Sequence, residues 1–221
     1  MISTVSKRFL LILLLGLLDA SVVRAQSGMA ELEQKLKADP NDQQVLMDLG
    51  RMYYDQAAAG ETDYIDKGIH CFDQALMLDS TNAVALAYRG SLWTMEARSS
   101  WWPPNKMKYL KRGGEELDRA VDLAPDNIMV RLIRGINGIG LPSYADRLQT
   151  SLEDFLLVLK HPDFPNQTRE LKAVAFYYGG LTLKRADDYE QARELFRRAI
   201  SILPDSEYAR RAREELKEMG S

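Results

Sequence analysis

The fold is decided by Phe176-Tyr177-Tyr178-Gly179-Gly180-Leu181-Thr182-Leu183, then, nine residues after Leu183, Ala192-Arg193-Glu194-Leu195-Phe196-Arg197-Arg198-Ala199, closed by Pro204. Apolar residues recur at three- and four-residue spacing in both halves, the mark of two helices that each bury one face. Small residues at Gly180 and Ala192 let the two helices approach closely. Phe196 is expected to fill the space between pairs, and Pro204 to stop the second helix.

Working outward, the body of the chain shows the same helical spacing and no strand-like alternation. Gly50, Gly90, Gly135 and Gly180 stand at equivalent places, 40, 45 and 45 residues apart, which marks internal repeats. The first segment reads Leu46, Leu49, Gly50, Tyr53, then Gly68, Phe72, Ala75, with Ser80 where a proline would stand. The second reads Leu86, Arg89, Gly90, Trp93, then Gly113, Leu117, Ala120, Pro125. The third keeps mainly the spacing, with Arg131, Arg134, Gly135 and Gly138 before Ser151, Phe155 and Val158.

Over residues 41–204 this pattern resembles the tetratricopeptide repeat. The resemblance implies an all-α, right-handed superhelical solenoid of antiparallel helix pairs that binds a protein or peptide. The expected units are 41–80, 81–125, 126–165 and 166–204, between an N-terminal capping helix in 26–40 and a C-terminal one in 205–221. Met29 to Ala38 would turn Leu32 and Leu36 inward, and Glu207 to Met219 would use Tyr208, Ala212, Leu216 and Met219. The two motif halves lie 15 residues apart from Tyr53 to Gly68, 20 from Trp93 to Gly113 and 13 from Gly138 to Ser151. Three of the four turns inside the repeats are therefore expected to carry insertions, grouped along one edge.

Residues 1–25 have the form of a cleaved secretory signal. Lys7 and Arg8 precede the apolar run Phe9 to Leu18, and Val23-Arg24-Ala25 supplies the cleavage pattern. The run is about half of the ~20 apolar residues that span a bilayer, so no stable membrane span is expected after cleavage. Export to a periplasmic or extracellular space is the implied destination. Without Lys7, Arg8, Arg24 and Asp19 the formal net charge falls from -3 to -5, which argues against general nucleic-acid binding. A lone cysteine, Cys71, offers no internal disulfide and reads as a small buried hydrophobe. His70 and His161 sit in no metal-binding or nucleophile motif, and no phosphate-binding loop is present. Glu115-Glu116 and Asp187-Asp188 read as solvated helix or cap residues, so no catalytic residue, cofactor or metal is expected.

The resemblance implies a concave face made by the first helix of each pair. Its lining would be Met47 and Arg51, Ala87 and Ser91, Leu132 and Ile136, Tyr177 and Leu181, mostly apolar and suited to an apolar peptide or partner helix. Only Arg51 could serve a carboxylate clamp of the kind some relatives use, so that mode is not expected. The opposing expectation is that these residues pack within the chain. Trp101-Trp102-Pro103-Pro104 suits a partner or membrane-interface anchor on a stiffened loop, unless the loop folds back and the indoles cover the core. Arg89, Arg131 and Arg134 stand where the motif wants apolar residues, with Asp118, Asp122, Glu153 and Asp154 as candidate partners; an anion pocket is the other use. Asn166-Gln167-Thr168 fits the glycosylation acceptor pattern, a triplet common by chance.

The function implied is an exported interaction scaffold, working through an apolar groove and the insertion edge of the middle repeats. The alternatives are a structural subunit of a larger envelope assembly and a binder of anions or small molecules at Arg89, Arg131 and Arg134.

Overall fold

In the computed structural model the residues described are 26–141 and 146–220. All regular structure among them is helical. The chain divides into two compact units, Met1–Ser80 and Thr81–Ser221. The expected signal, residues 1–25, lies outside the described residues.

The first unit holds helix α1 (26–38), α2 (Gln43–Ala58) and α3 (Tyr64–Leu78). The capping helix α1 buries Met29 and half-buries Leu32 and Leu36. It is fixed to α2 by the Tyr53 hydroxyl, which donates to Glu33 Oε1 at 2.6 Å. Burial, and then Glu33, push the Tyr53 phenol well above its ordinary pKa. Cys71 is buried in α3, and the same loss of water drives its thiol up to about 11. That is the inert residue the sequence suggests.

The second unit holds α4 (Ala83–Ser99), α5 (Pro103–Leu123), α6 (Ile128–Gly140), α7 (Leu148–Lys160), α8 (Arg169–Arg185), α9 (Tyr189–Ile202) and α10 (Glu207–Glu218). A 3-10 turn, Phe164–Asn166, precedes α8 and carries the glycosylation-like triplet to Thr168. Each helix packs on the next in sequence, and α4, α6, α8 and α10 also pack in succession. Repetition of both contacts builds a solenoid.

Local chemistry sets where each pair begins. Asp42, Asn82, Asn127, Thr168 and Ser206 cap α2, α4, α6, α8 and α10, each accepting from the backbone N–H three residues on. A side-chain oxygen there satisfies one of the orphan donors of a helix start. Helix α10 carries the same kind of cap and packs on α8 and α9. Ala209 and Ala212 are its buried face.

The glycines set how closely the two helices of a pair meet. A Cβ on Gly50 would lie 2.9 Å from the ring of Phe72, and one on Gly180 2.7 Å from Phe196. Gly135 has the same relation to Phe155, at 3.0 Å. The phenylalanine thus fills the hollow left by the glycine of its own pair, which corrects the expectation that Phe196 fills the space between pairs. In the second repeat Leu117 replaces phenylalanine and a second glycine appears. There α4 and α5 touch backbone to backbone, since a Cβ on Gly113 would stand 2.5 Å from the Gly90 carbonyl oxygen.

The insertions also differ from expectation. In the second repeat the turn between helices is only residues 100–102, and the extra residues lengthen the helices, to 17 in α4 and 21 in α5. Trp102 occupies the N-cap of α5, with Pro103 and Pro104 at its start. Proline is suited to that position because its missing N–H has no intrahelical partner there. These prolines begin a helix rather than stiffen a loop.

Gly113→Ala is expected to destabilise the protein by ~1–3 kcal/mol through overpacking against the Gly90 carbonyl, despite the better helix propensity of alanine. Gly140→Ala, where an added Cβ meets nothing within 4 Å, is expected to be neutral or mildly stabilising. Urea denaturation of the two variants checks the contrast.

Candidate functional site

The arginines of the middle repeats assemble a buried ionic network across α5, α6 and α7. Arg134 of α6 grips Asp154 of α7 with two hydrogen bonds of 2.8 Å, from Nε to Oδ2 and from Nη2 to Oδ1. Arg131, one turn earlier, donates from Nη1 to the same carboxylate at 2.8 Å and from Nε to the Pro125 carbonyl at 2.7 Å. Asp154 is fully buried. Two guanidinium groups on one carboxylate meet the condition for burying a charge, which is that its lone pairs be filled. Arg134 also reaches Asp118 of α5 at 3.2 Å, and Arg147 grips Asp118 with bonds of 2.8 and 2.9 Å. Burial works against the charge on Arg134, but Asp154 and Asp118 together hold its pKa above the ordinary guanidinium value. Gly114 makes room for Arg147, since a Cβ there would lie 2.9 Å from its Nη2.

Arg89 of α4 pairs with Glu116 of α5 at 2.8 Å, and Arg112 reaches the other oxygen of that carboxylate at 3.1 Å. Arg89, Arg131 and Arg134 therefore fix register between helices and are not an open anion pocket. Two expected partners are not used in this way: Asp122 is exposed, and Glu153 accepts from Gln149 of its own helix. Glu116, expected to be solvated, is instead a partner in the network; Glu115 is exposed. Asp188 caps α9. Arg147 was not legible, because nothing in its local sequence ties it to Asp118, 29 residues away. A polar contact between α4 and α6 was equally hidden: Asn137 donates from Nδ2 to Ser91 Oγ at 3.2 Å and to Thr94 Oγ1.

The expected apolar lining is largely closed over. In the second unit Ala87, Ser91, Leu132 and Tyr177 are buried. Leu132 packs with Ile128, Phe155, Val158 and Ala175, and Ile136 lies half-buried against the same cluster. Tyr177 is covered by Tyr208 of α10, with ring centroids 5.8 Å apart, and Leu181 lies half-buried on the cluster around Phe196. The reason is the succession α4, α6, α8, α10: each first helix is covered by the next, so these side chains meet protein before a partner can reach them. In the first unit Met47 is half-buried, and Arg51 is exposed with Asp48 3.8 Å away.

Two surface features stand out among the described residues of the second unit. One is a recess of about 190 Å³ between the start of α6 and the end of α7, floored by Ile128, Leu157 and Val158 and rimmed by Lys160 and His161. Of these lining residues Leu157 is half-exposed. The other is the end of the α4–α5 hairpin, where Trp101 is 84% exposed and Trp102 48%. The indoles do not cover the core. No cluster of metal-ligating side chains occurs among the described residues, and no described helix is long and apolar enough to cross a membrane.

Asp154→Ala would strand Arg131 and Arg134 and is expected to cost ~3–5 kcal/mol, the usual result of breaking a buried pair from one side. Asp118→Ala should cost less, because its side chain is 41% exposed and water replaces part of what is lost. Chemical denaturation of both variants measures the difference.

No family model matches the chain, and no curated protein matches it. Among solved structures it is similar to a thermophilic TPR protein of Thermus thermophilus, with TM-score 0.68 and 15% identity over 91% of this chain and 95% of that one. MamA aligns with TM-score 0.48 and 18% identity over 83% of this chain and 91% of its own. YrrB, a TPR protein described as having an unusual peptide-binding site, aligns with TM-score 0.48 and 22% identity over 89% and 87%. The first likeness establishes the fold.

Proposed function

We propose that this chain, a tetratricopeptide-repeat protein by its fold, is an exported scaffold that holds another protein through the middle repeats of its second unit. The observation that carries the reading is the recess between α6 and α7, where Ile128, Val158 and half-exposed Leu157 form an apolar part of the lining. Exposed apolar surface next to a recess is costly to leave in water and is a common mark of a binding site. The recess has room for one apolar side chain, and Asp126, Arg131, Lys160 and His161 in its lining offer charges of both signs to the polar part of a partner. A rigid stack suits this task. The network on Asp154 and Asp118 pins α5, α6 and α7 to one another, so the walls of the recess lose little entropy on binding.

Leu157→Asp tests it. Leu157 is half-exposed, so the melting temperature should fall by no more than about 2–4 °C, the effect of ~1 kcal/mol from lost helix propensity and partial burial. A protein captured from an extract of the source cells by the wild type should be lost from the variant. Equal capture by both would remove the recess from consideration. Sedimentation of the purified protein separates a scaffold, soluble alone, from an obligate subunit that aggregates without its assembly.

Export rests on Lys7, Arg8, the run Phe9 to Leu18 and the Val23-Arg24-Ala25 pattern. The intact mass of protein from its native host should correspond to a chain beginning at Gln26. Recovery of the whole chain from the cytosol would count against it.

A further inference from the structure

We infer that the end of the α4–α5 hairpin is a docking tip for an anionic lipid surface. The argument starts from charge. Between Ala97 and Gly114 the chain carries Arg98, Lys106, Lys108, Lys111 and Arg112 and no acidic residue, although its net charge is -3. Lys111 and Arg112 lie against Glu115 and Glu116 at 3.8 and 3.1 Å, so the positive charge left to the tip is that of Arg98, Lys106 and Lys108, in an otherwise acidic protein.

Geometry places that segment clear of the core. Ala97 is the last buried residue of α4, Gly113 the first of α5, and no side chain from Arg98 to Lys108 is buried. The six residues from Pro103 to Lys108 make about 9 Å of helix at ~1.5 Å each, all of it exposed. Trp101 and Trp102 stand at the apex with their ring centroids 5.5 Å apart, and Met107 is 60% exposed just behind them. The hairpin is held firmly at its base, where Tyr109 stacks on Trp93 at 5.4 Å and the Arg112 guanidinium lies 3.9 Å over the same indole. A rigid stalk thus presents two large rings that water solvates poorly.

The arrangement matches the membrane interface layer by layer. Indoles prefer the headgroup region, where an apolar ring and a polar N–H are both satisfied. Lys106 and Lys108 follow about one turn behind the indoles, where phosphates would lie. A protein partner suits the tip less well. Stable protein interfaces bury on the order of 800 Å² on each side, and aromatic anchors work inside packed pockets. A narrow convex apex offers too little surface for that, whereas a bilayer yields around a small wedge. The inference is independent of the recess between α6 and α7.

The test uses the protein as isolated from its host, with vesicles of phosphatidylglycerol mixed into phosphatidylcholine and vesicles of phosphatidylcholine alone. Co-sedimentation should be at least about tenfold stronger with the anionic vesicles and should weaken as salt rises. Brominated acyl chains should quench tryptophan fluorescence in the wild type. Trp101→Ser with Trp102→Ser should abolish that quenching, and Lys106→Glu with Lys108→Glu should cut binding about tenfold or more. All these side chains are exposed, so melting temperatures should not move, which separates lost binding from lost folding. Equal binding by wild type and variants, or none to either vesicle, overturns the inference. Loss of a captured protein by the tip variants, with no vesicle binding by the wild type, would overturn it in favour of a protein partner.

Discussion

The close approach of two helices at a glycine is the constraint on which the rest of the structure depends. Gly50, Gly135 and Gly180 each leave a hollow that the phenylalanine of the same pair fills, and Gly90 and Gly113 remove the side chains altogether. A helix pair built this way has a fixed separation and a fixed register. The ring that enters the hollow has almost no exposure, as Phe72 and Phe196 show. Packed interiors tolerate neither gaps nor overlap of a methyl group, so each pair is a stiff unit that can be stacked.

Stacking then needs a second device, because apolar surfaces alone let one pair slide on another. In the middle of the second unit that device is ionic. Asp154 is shared by Arg131 and Arg134, and Asp118 by Arg134 and Arg147, so α5, α6 and α7 are tied by directional bonds. Pairs of this kind do little for net stability against an apolar alternative, but a misplaced register would leave charges buried and unpaired. The third repeat, whose motif is the most degraded, is the one held in this way. Specificity from charge there replaces packing lost from the motif.

Legibility followed the range of each interaction. The glycine recurrence and the buried faces of α9 and α10 lie within a few residues of their causes and could be read directly. That Arg131 and Arg134 need carboxylates from a facing helix was legible, because arginine on an apolar helix face demands one, but the choice of Asp154 among four candidates was made by the packing. Arg147 with Asp118 and Asn137 with Ser91 were not legible, since each joins residues whose local patterns are unremarkable. The lining at Leu132 and Tyr177 was left open between an exposed groove and packing within the chain for a related reason. Periodicity reports that a face is apolar and is silent on whether a partner or the next helix covers it.

The insertion between Trp93 and Gly113 shows the division most clearly. Sequence alone determined that extra residues exist there, that they include two tryptophans and two prolines, and that the surrounding run is basic. Only the tertiary structure decided that they extend two helices instead of looping back. A proline pair is compatible with a stiff loop and with a helix start, and the choice falls to the helix because α4 and α5 already meet face to face at Gly90 and Gly113 and carry each other outward.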